Sequence, residues 1–142
     1  MKKVNAMKKQ GGFTLIEVMV VVAILGILAA IVMTNVVGKD DQARVTTTKA
    51  SLSSIANALE MYKLDNHKYP TTDEGLEALV TKPASAKNFP AGGYLKKLPE
   101  DSWGNPFRYV APGDNGRPFE IYSLGGDDVE GGEGTNADIY YE

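Results

Sequence analysis

Two places in the chain carry residues whose types and spacing could do chemistry. The first is Glu17, the single charge within the apolar run 13–33, FTLIEVMVVVAILGILAAIVM. A carboxylate inside a membrane helix costs roughly 2.5–3.5 kcal/mol on insertion scales, so Glu17 calls for a cationic partner. Immediately before it, Gly11-Gly12-Phe13 offers an unhindered backbone that a protease can bind in extended form. Cleavage after Gly12 would free the α-amino group of Phe13, four residues from Glu17 on one face of a helix. The amine of a neighbouring subunit could serve in its place. The second place is 124–138, LGGDDVEGGEGTNAD, where Asp127, Asp128, Glu130, Glu133 and Asp138 stand among five glycines. Carboxylates gathered with carbonyls that glycine lets turn inward suit calcium, a hard ion taking about six to eight oxygen ligands. The spacing is not that of an EF-hand, and the same composition also describes a flexible, solvated acidic tail.

Other chemistries find little support. The one histidine, His67, lies in the polar stretch Asp65-Asn66-His67-Lys68 without a metal-ligating companion. Neither a G-x-S-x-G elbow nor a phosphate-cradling P-loop occurs, and Trp103 in Asp101-Ser102-Trp103-Gly104-Asn105-Pro106 reads as a core anchor. With no cysteine, disulfides and thiolate chemistry are excluded. From Phe13 onward 11 Lys and Arg face 18 Asp and Glu, a net of −7, which argues against nucleic acid as a partner. The expectation is a protein that is not an enzyme.

The elements that must position these residues follow from the hydrophobic pattern. As a helix at about 1.5 Å per residue, the run 13–33 spans roughly 30 Å, the thickness of a bilayer's hydrocarbon core. Lys2, Lys3, Lys8 and Lys9 precede it, placing the N-terminus in the cytoplasm by the positive-inside bias. A secretory signal peptide shares the basic start but has a shorter apolar core and an A-x-A site; a plain N-terminal anchor remains compatible with the run alone. Val45, Leu52, Ile55, Leu59 and Tyr62 continue at helical spacing, which predicts one long helix over 13–64, ending near Asp65-Asn66 and before Pro70. Gly38 can loosen it midway.

Thr71 and Thr72 before DEGLEALV predict a short second helix. Prolines and glycines then punctuate a loop-rich stretch. The runs 107–110 and 118–122, separated by Ala111-Pro112-Gly113-Asp114-Asn115-Gly116, predict strands of a small antiparallel sheet. The expected fold class is therefore α+β, a long helix packed on a short helix and a small sheet. The divisions are a basic leader 1–12, a membrane and assembly half 13–37, and a distal domain 38–142. Met7-Lys8-Lys9 repeats Met1-Lys2-Lys3, so translation from either methionine preserves the junction.

The sequence G-F-T-L-I-E followed by an apolar helix resembles the type IV prepilin class of signals. LEMYKLDNHKYPTTDEGLEALV, GGYLKKLPEDSWGNPFRYVAPG and FEIYSLGGDD resemble the major pseudopilins of type II secretion systems, and with the signal they cover nearly the whole chain. The resemblance implies cleavage between Gly12 and Phe13 by a prepilin peptidase, N-methylation of Phe13, and neutralisation of an adjacent subunit's Phe13 amine by Glu17. It also implies calcium in the C-terminal loop, held by Asp127 and Asp138 and by the carbonyls of Leu124 and Val129. Thr135, Asn136 or a water would complete the shell, since Ala137 stands where some relatives carry an aspartate. The implied function is that of the major subunit of a periplasmic filament, a helical homopolymer that drives folded proteins across the outer membrane. Minor pseudopilins, an inner-membrane assembly platform and a cytoplasmic ATPase are the implied partners. The localisation is single-pass in the inner membrane, with the distal domain periplasmic. A type IV pilus subunit for adhesion, motility or DNA uptake is the alternative. Thr34 stands where the family usually has a proline, which removes that residue's break in the helical hydrogen-bond ladder.

Overall fold

The computed structural model describes residues 11–142, apart from the side chains of 33–37. The basic leader through residue 10, both candidate start positions and the side chain of Thr34 lie outside the described residues. Helix α1, Leu15–Asn66, is 52 residues long. Its start is set by Thr14, whose Oγ1 accepts a hydrogen bond from the Glu17 N–H at 3.3 Å, the N-cap geometry that satisfies an otherwise unpaired helix-terminal donor. Its end is set by His67, at φ 61°, whose N–H donates to the Lys63 carbonyl at 2.7 Å. This is the left-handed stop usually made by glycine. The sequence pattern places the helix at 13–64, so the two differ by two residues at each end.

The chain divides into two compact units, one reaching Lys39 and the other comprising Asp40–Glu142. In the first, the apolar side chains between Phe13 and Val32 are exposed along the whole helix. One stretch, Leu15–Val32, is long and apolar enough to cross a membrane. In the second unit α1 is one-sided. Leu52, Ile55, Leu59 and Tyr62 are buried and Val45 packs against them, as the spacing predicts. Thr48, fully buried, fills the same stripe although it is polar. At roughly 1.5–3 kcal/mol per buried large apolar side chain, this face fixes α1 against the core.

Beyond the helix, Thr71 and Glu74 form a reciprocal capping box. The Glu74 N–H donates to Thr71 Oγ1 at 3.2 Å, and the Thr71 N–H to Glu74 Oε2 at 2.9 Å. The helix after this cap is shorter than the sequence suggests, a 3-10 turn at Leu76–Leu79, because Gly75 at φ 60° turns the backbone out of the α region. Leu76, Ala78 and Leu79 are buried. The irregular segment after it is pinned at two points. The Leu79 carbonyl accepts from the N–H groups of Tyr94 and Leu95. Buried Asn66 accepts from the N–H groups of Lys87 and Asn88 through Oδ1 and donates to the Asn88 carbonyl through Nδ2.

Three strands make the antiparallel sheet in the order β1-β2-β3: β1 Arg108–Val110, β2 Glu120–Ser123 and β3 Ile139–Tyr140. Tyr109 pairs with Ile121, and Ser123 with Ile139. The first two strands fall within a residue or two of the predicted runs. The third was not expected. Tyr109, Ile121 and Ile139 enter the core with Phe107 and Phe119, so sheet and helix share one apolar cluster.

Candidate functional site

At the N-terminal junction Gly11, Gly12, Phe13 and Thr14 precede the helix and are exposed, with Phe13 85% accessible. Nothing lies within 4 Å of where a side chain would begin at either glycine. A peptide bond after Gly12 is thus presented on non-helical, unobstructed backbone. Glu17 comes next on the first turn of α1, and neither of the two ion pairs among the described residues involves it.

The acidic loop runs from the end of β2 to the start of β3. It folds tightly back on itself: a Cβ at Gly125 would stand 2.7 Å from the Asn136 carbonyl carbon, and one at Gly132 would stand 2.5 Å from its oxygen. Both glycines have positive φ, so each is required twice over, by conformation and by space. The Gly126 N–H donates to the Thr135 carbonyl at 2.9 Å across the loop's neck.

The five acids do not act together. Asp128 pairs with Arg108 of β1 at 3.3 Å, and Glu130 and Glu133 point into solvent. Exposed Asp127 accepts the Val129 N–H on Oδ1 at 3.2 Å. Asp138 accepts the Gly131 N–H on Oδ2 at 3.0 Å, while its Oδ1 is buried without a hydrogen-bond partner. Among the described residues no three His, Cys, Asp or Glu side chains gather as a metal cluster. A cation here would draw on carbonyl oxygens for most of its shell, and Asp138 Oδ1 is the one buried carboxylate oxygen left for it. Beside Asp138 a cleft of about 310 Å³ opens between Val45 and Lys49 of α1 and the loop residues Gly134 and Ala137. The neighbouring Tyr140 phenol is pushed above its ordinary value, first by burial and then by the charge of Asp138.

The base of the loop rests on Asp101, a residue to which the sequence pattern assigned no role. This buried carboxylate accepts the Trp103 and Asn105 N–H groups on Oδ1 at 3.0 and 2.9 Å, and the Ser123 hydroxyl on Oδ2 at 2.6 Å. The signal for it was the Asp101-Ser102-Trp103-Gly104-Asn105 order, an acidic side chain two and four residues before N–H groups that it can cap. Trp103 is half-buried against the core and borders Gly126, so the one tryptophan of the chain reports on the loop. His67 takes no part in either site.

An apolar helix preceded by an exposed, non-helical Gly-Gly-Phe junction and continuing into a small α+β unit defines a prepilin-type subunit. Residues 7–33 match the prokaryotic N-terminal methylation motif, and residues 35–142 match the model of type II secretion system protein G. The chain belongs to the type II secretion system protein G family. It is 58% identical over 135 residues to type II secretion system core protein G of Pseudomonas aeruginosa, covering 93% of this chain and 94% of that one. The corresponding protein of Vibrio cholerae is 55% identical, covering 94% and 92%. The major pseudopilin from the type 2 secretion system of enterohaemorrhagic Escherichia coli superposes with a TM-score of 0.65 at 37% identity, over 75% of this chain and 92% of that structure. These matches do not favour the type IV pilus alternative.

Proposed function

We propose that the chain is the major structural subunit of a type II secretion pseudopilus, a filament of many copies that drives export of folded proteins across the outer membrane. The observation that carries this reading is the family match over 35–142 joined to a methylation motif over 7–33. The physical rationale lies in the exposed apolar half of α1. In the membrane its side chains are covered by lipid; in a filament the same side chains are covered by those of neighbouring subunits, so extraction exchanges one apolar environment for another. The partner for Glu17 is then the Phe13 amine of an adjacent subunit, an ion pair in an apolar setting that fixes axial register. The peptidase that frees that amine, the minor pseudopilins and the inner-membrane platform are the further partners. The subunit is a membrane-anchored structural protein rather than an enzyme, with the N-terminus cytoplasmic and Asp40–Glu142 periplasmic.

Calcium is the proposed ligand of the loop. Leu124 and Val129 would offer carbonyls, and Asp127 and Asp138 carboxylates. The unpartnered Asp138 Oδ1 supports this, because a buried acceptor left unsatisfied costs about 1–3 kcal/mol. A bound divalent cation supplies that oxygen's missing partner and holds the glycine-rich loop in one shape. Intact mass of protein from its host's membranes tests the processing step: a chain starting at Phe13 with one added methyl group is expected, and an intact leader refutes the filament reading. Calorimetric titration with calcium chloride tests the loop, where absence of binding refutes the ligand.

A further inference from the structure

The turn that carries Asp101 has two faces, and each holds a different part of the fold. On one face Gly125, next to the proposed ligand Leu124, is held at both its polar groups. Its N–H donates to Ser123 Oγ at 3.1 Å, and Ser123 in turn donates to Asp101. Its carbonyl accepts from Asn105 Nδ2 at 3.1 Å. On the other face Ser102 is bound to helix α1 by four hydrogen bonds. Its N–H donates to Thr48 Oγ1 at 3.2 Å, and its hydroxyl donates to the Arg44 carbonyl at 2.8 Å. That hydroxyl also accepts from the Thr48 hydroxyl at 3.1 Å, and the Ser102 carbonyl accepts from Arg44 Nη1 at 2.9 Å. Arg44 continues to Asp40, the first residue of the distal unit, at 3.1 Å.

Asp101, Thr48 and Ser123 are buried, and these bonds satisfy their side chains, so neither face can shift without leaving polar atoms unpaired in a water-poor setting. We propose that Asp101 is a positioning residue that couples cation binding in the acidic loop to the Arg44–Thr48 stretch of α1. The inference rests on the proposal that the loop binds calcium. Glycine-rich backbone has more conformations open to it than other backbone, and a bound cation narrows that choice. A ligand that selects one shape fixes Gly125, through Gly125 the 101–105 turn, and through Ser102 the helix. Coupling of this kind is reciprocal, so a helix held by its neighbours would tighten calcium binding in turn.

The test is hydrogen exchange of the full chain in detergent, with calcium chloride or with EDTA, comparing wild type with Ser102→Ala and Asn105→Ala. In the wild type calcium is expected to slow exchange both in the loop and in the amides of 44–52, the latter about fivefold or more. Ser102→Ala removes the two hydroxyl bonds of the helix face and keeps the two made by the Ser102 backbone, so loop protection by calcium persists while the added helix protection is reduced. Asn105→Ala loosens the loop face and weakens calcium binding about fivefold. A merely structural role would lower protection equally with calcium and with EDTA, and that result overturns the proposal. So does undiminished transmission in Ser102→Ala, or wild-type loop protection with no response in the helix; in either case the calcium reading stands. If calcium leaves the wild-type loop unchanged, the calcium reading falls and takes the coupling with it.

Discussion

Replacing Asp138 with asparagine separates the cation-binding role proposed for this side chain from its structural one. Without calcium, its charge-assisted bond from the Gly131 N–H contributes about 1.5–3 kcal/mol, while the buried, unpartnered Oδ1 costs about 1–3 kcal/mol. The two nearly cancel. Asparagine keeps an acceptor for Gly131 and removes the uncompensated charge, so in EDTA the stability of Asp138→Asn should lie within about 1 kcal/mol of wild type. With calcium at a hundred times its dissociation constant the wild type gains about 2.7 kcal/mol by mass action, which for a unit of this size raises the melting temperature by about 10–20 °C. The variant, lacking one of two ligand charges, should rise by less than about 5 °C. Thermal melts of the full chain in detergent, followed by Trp103 fluorescence, read both conditions. A large loss already present in EDTA, or an equal rise of both proteins with calcium, would refute the argument.

Glu17→Ala should leave the protein in the membrane, since removing the charge lowers an insertion cost of roughly 2.5–3.5 kcal/mol, but should abolish filaments; filaments of normal abundance by shear fractionation and microscopy would contradict the pairing. The Glu74 carboxyl is held below its ordinary value of 4.5, chiefly by the Ser85 hydroxyl and then by the Thr71 N–H. A depressed carboxyl stabilises the fold above its unfolded value and loses that contribution as pH falls through the lower folded value. The stability advantage of wild type over Glu74→Gln should therefore be constant at neutral pH and shrink below about pH 4.5 in urea melts, and an advantage that grows with acid would reverse the assignment. Leu59→Ala should cost about 2–5 kcal/mol, as the side chain is fully buried, while Leu64→Ala, 75% exposed on the same helix, should change stability by less than about 0.5 kcal/mol. Equal effects in denaturant melts would mean that the helix faces are misassigned.

How much of this could be read in the sequence depends on how local the signal is. The long helix was legible because its stripe repeats over many turns and because Asn66 and Pro70 close it. Thr48 was not, since its place in the stripe is secured by a hydroxyl bonded to Ser102, 54 residues away. The second helix was expected from acidic residues after a threonine cap; the cap is present, but one positive φ at Gly75 cuts the helix down to a single 3-10 turn. Strand β3 escaped notice because it is two residues long and joined to β2 only across the glycine loop, where Tyr140 stacks on Tyr122 at 4.9 Å. Of the loop's acids, composition alone could not tell that Arg108 holds Asp128 and leaves Asp138 with a free oxygen. That distinction belongs to the placing of Arg108 of β1 within reach of the loop.

The pinning of the irregular segment between Leu79 and Phe107 bears on how the protein withstands degradation. With its prolines, glycines and exposed lysines, this stretch offers many bonds that a trypsin-like or broad-specificity protease could attack if it moved freely. It is tied instead to the Leu79 carbonyl and to the buried amide of Asn66 at the exit of α1. Fitting ten or so residues into a protease cleft means detaching those ties, and detaching Asn66 exposes the last turn of the helix. Nicking in this segment therefore tracks the opening of the core, so the lifetime of a subunit in the presence of proteases is governed by its folding equilibrium and not by the apparent softness of its longest loop.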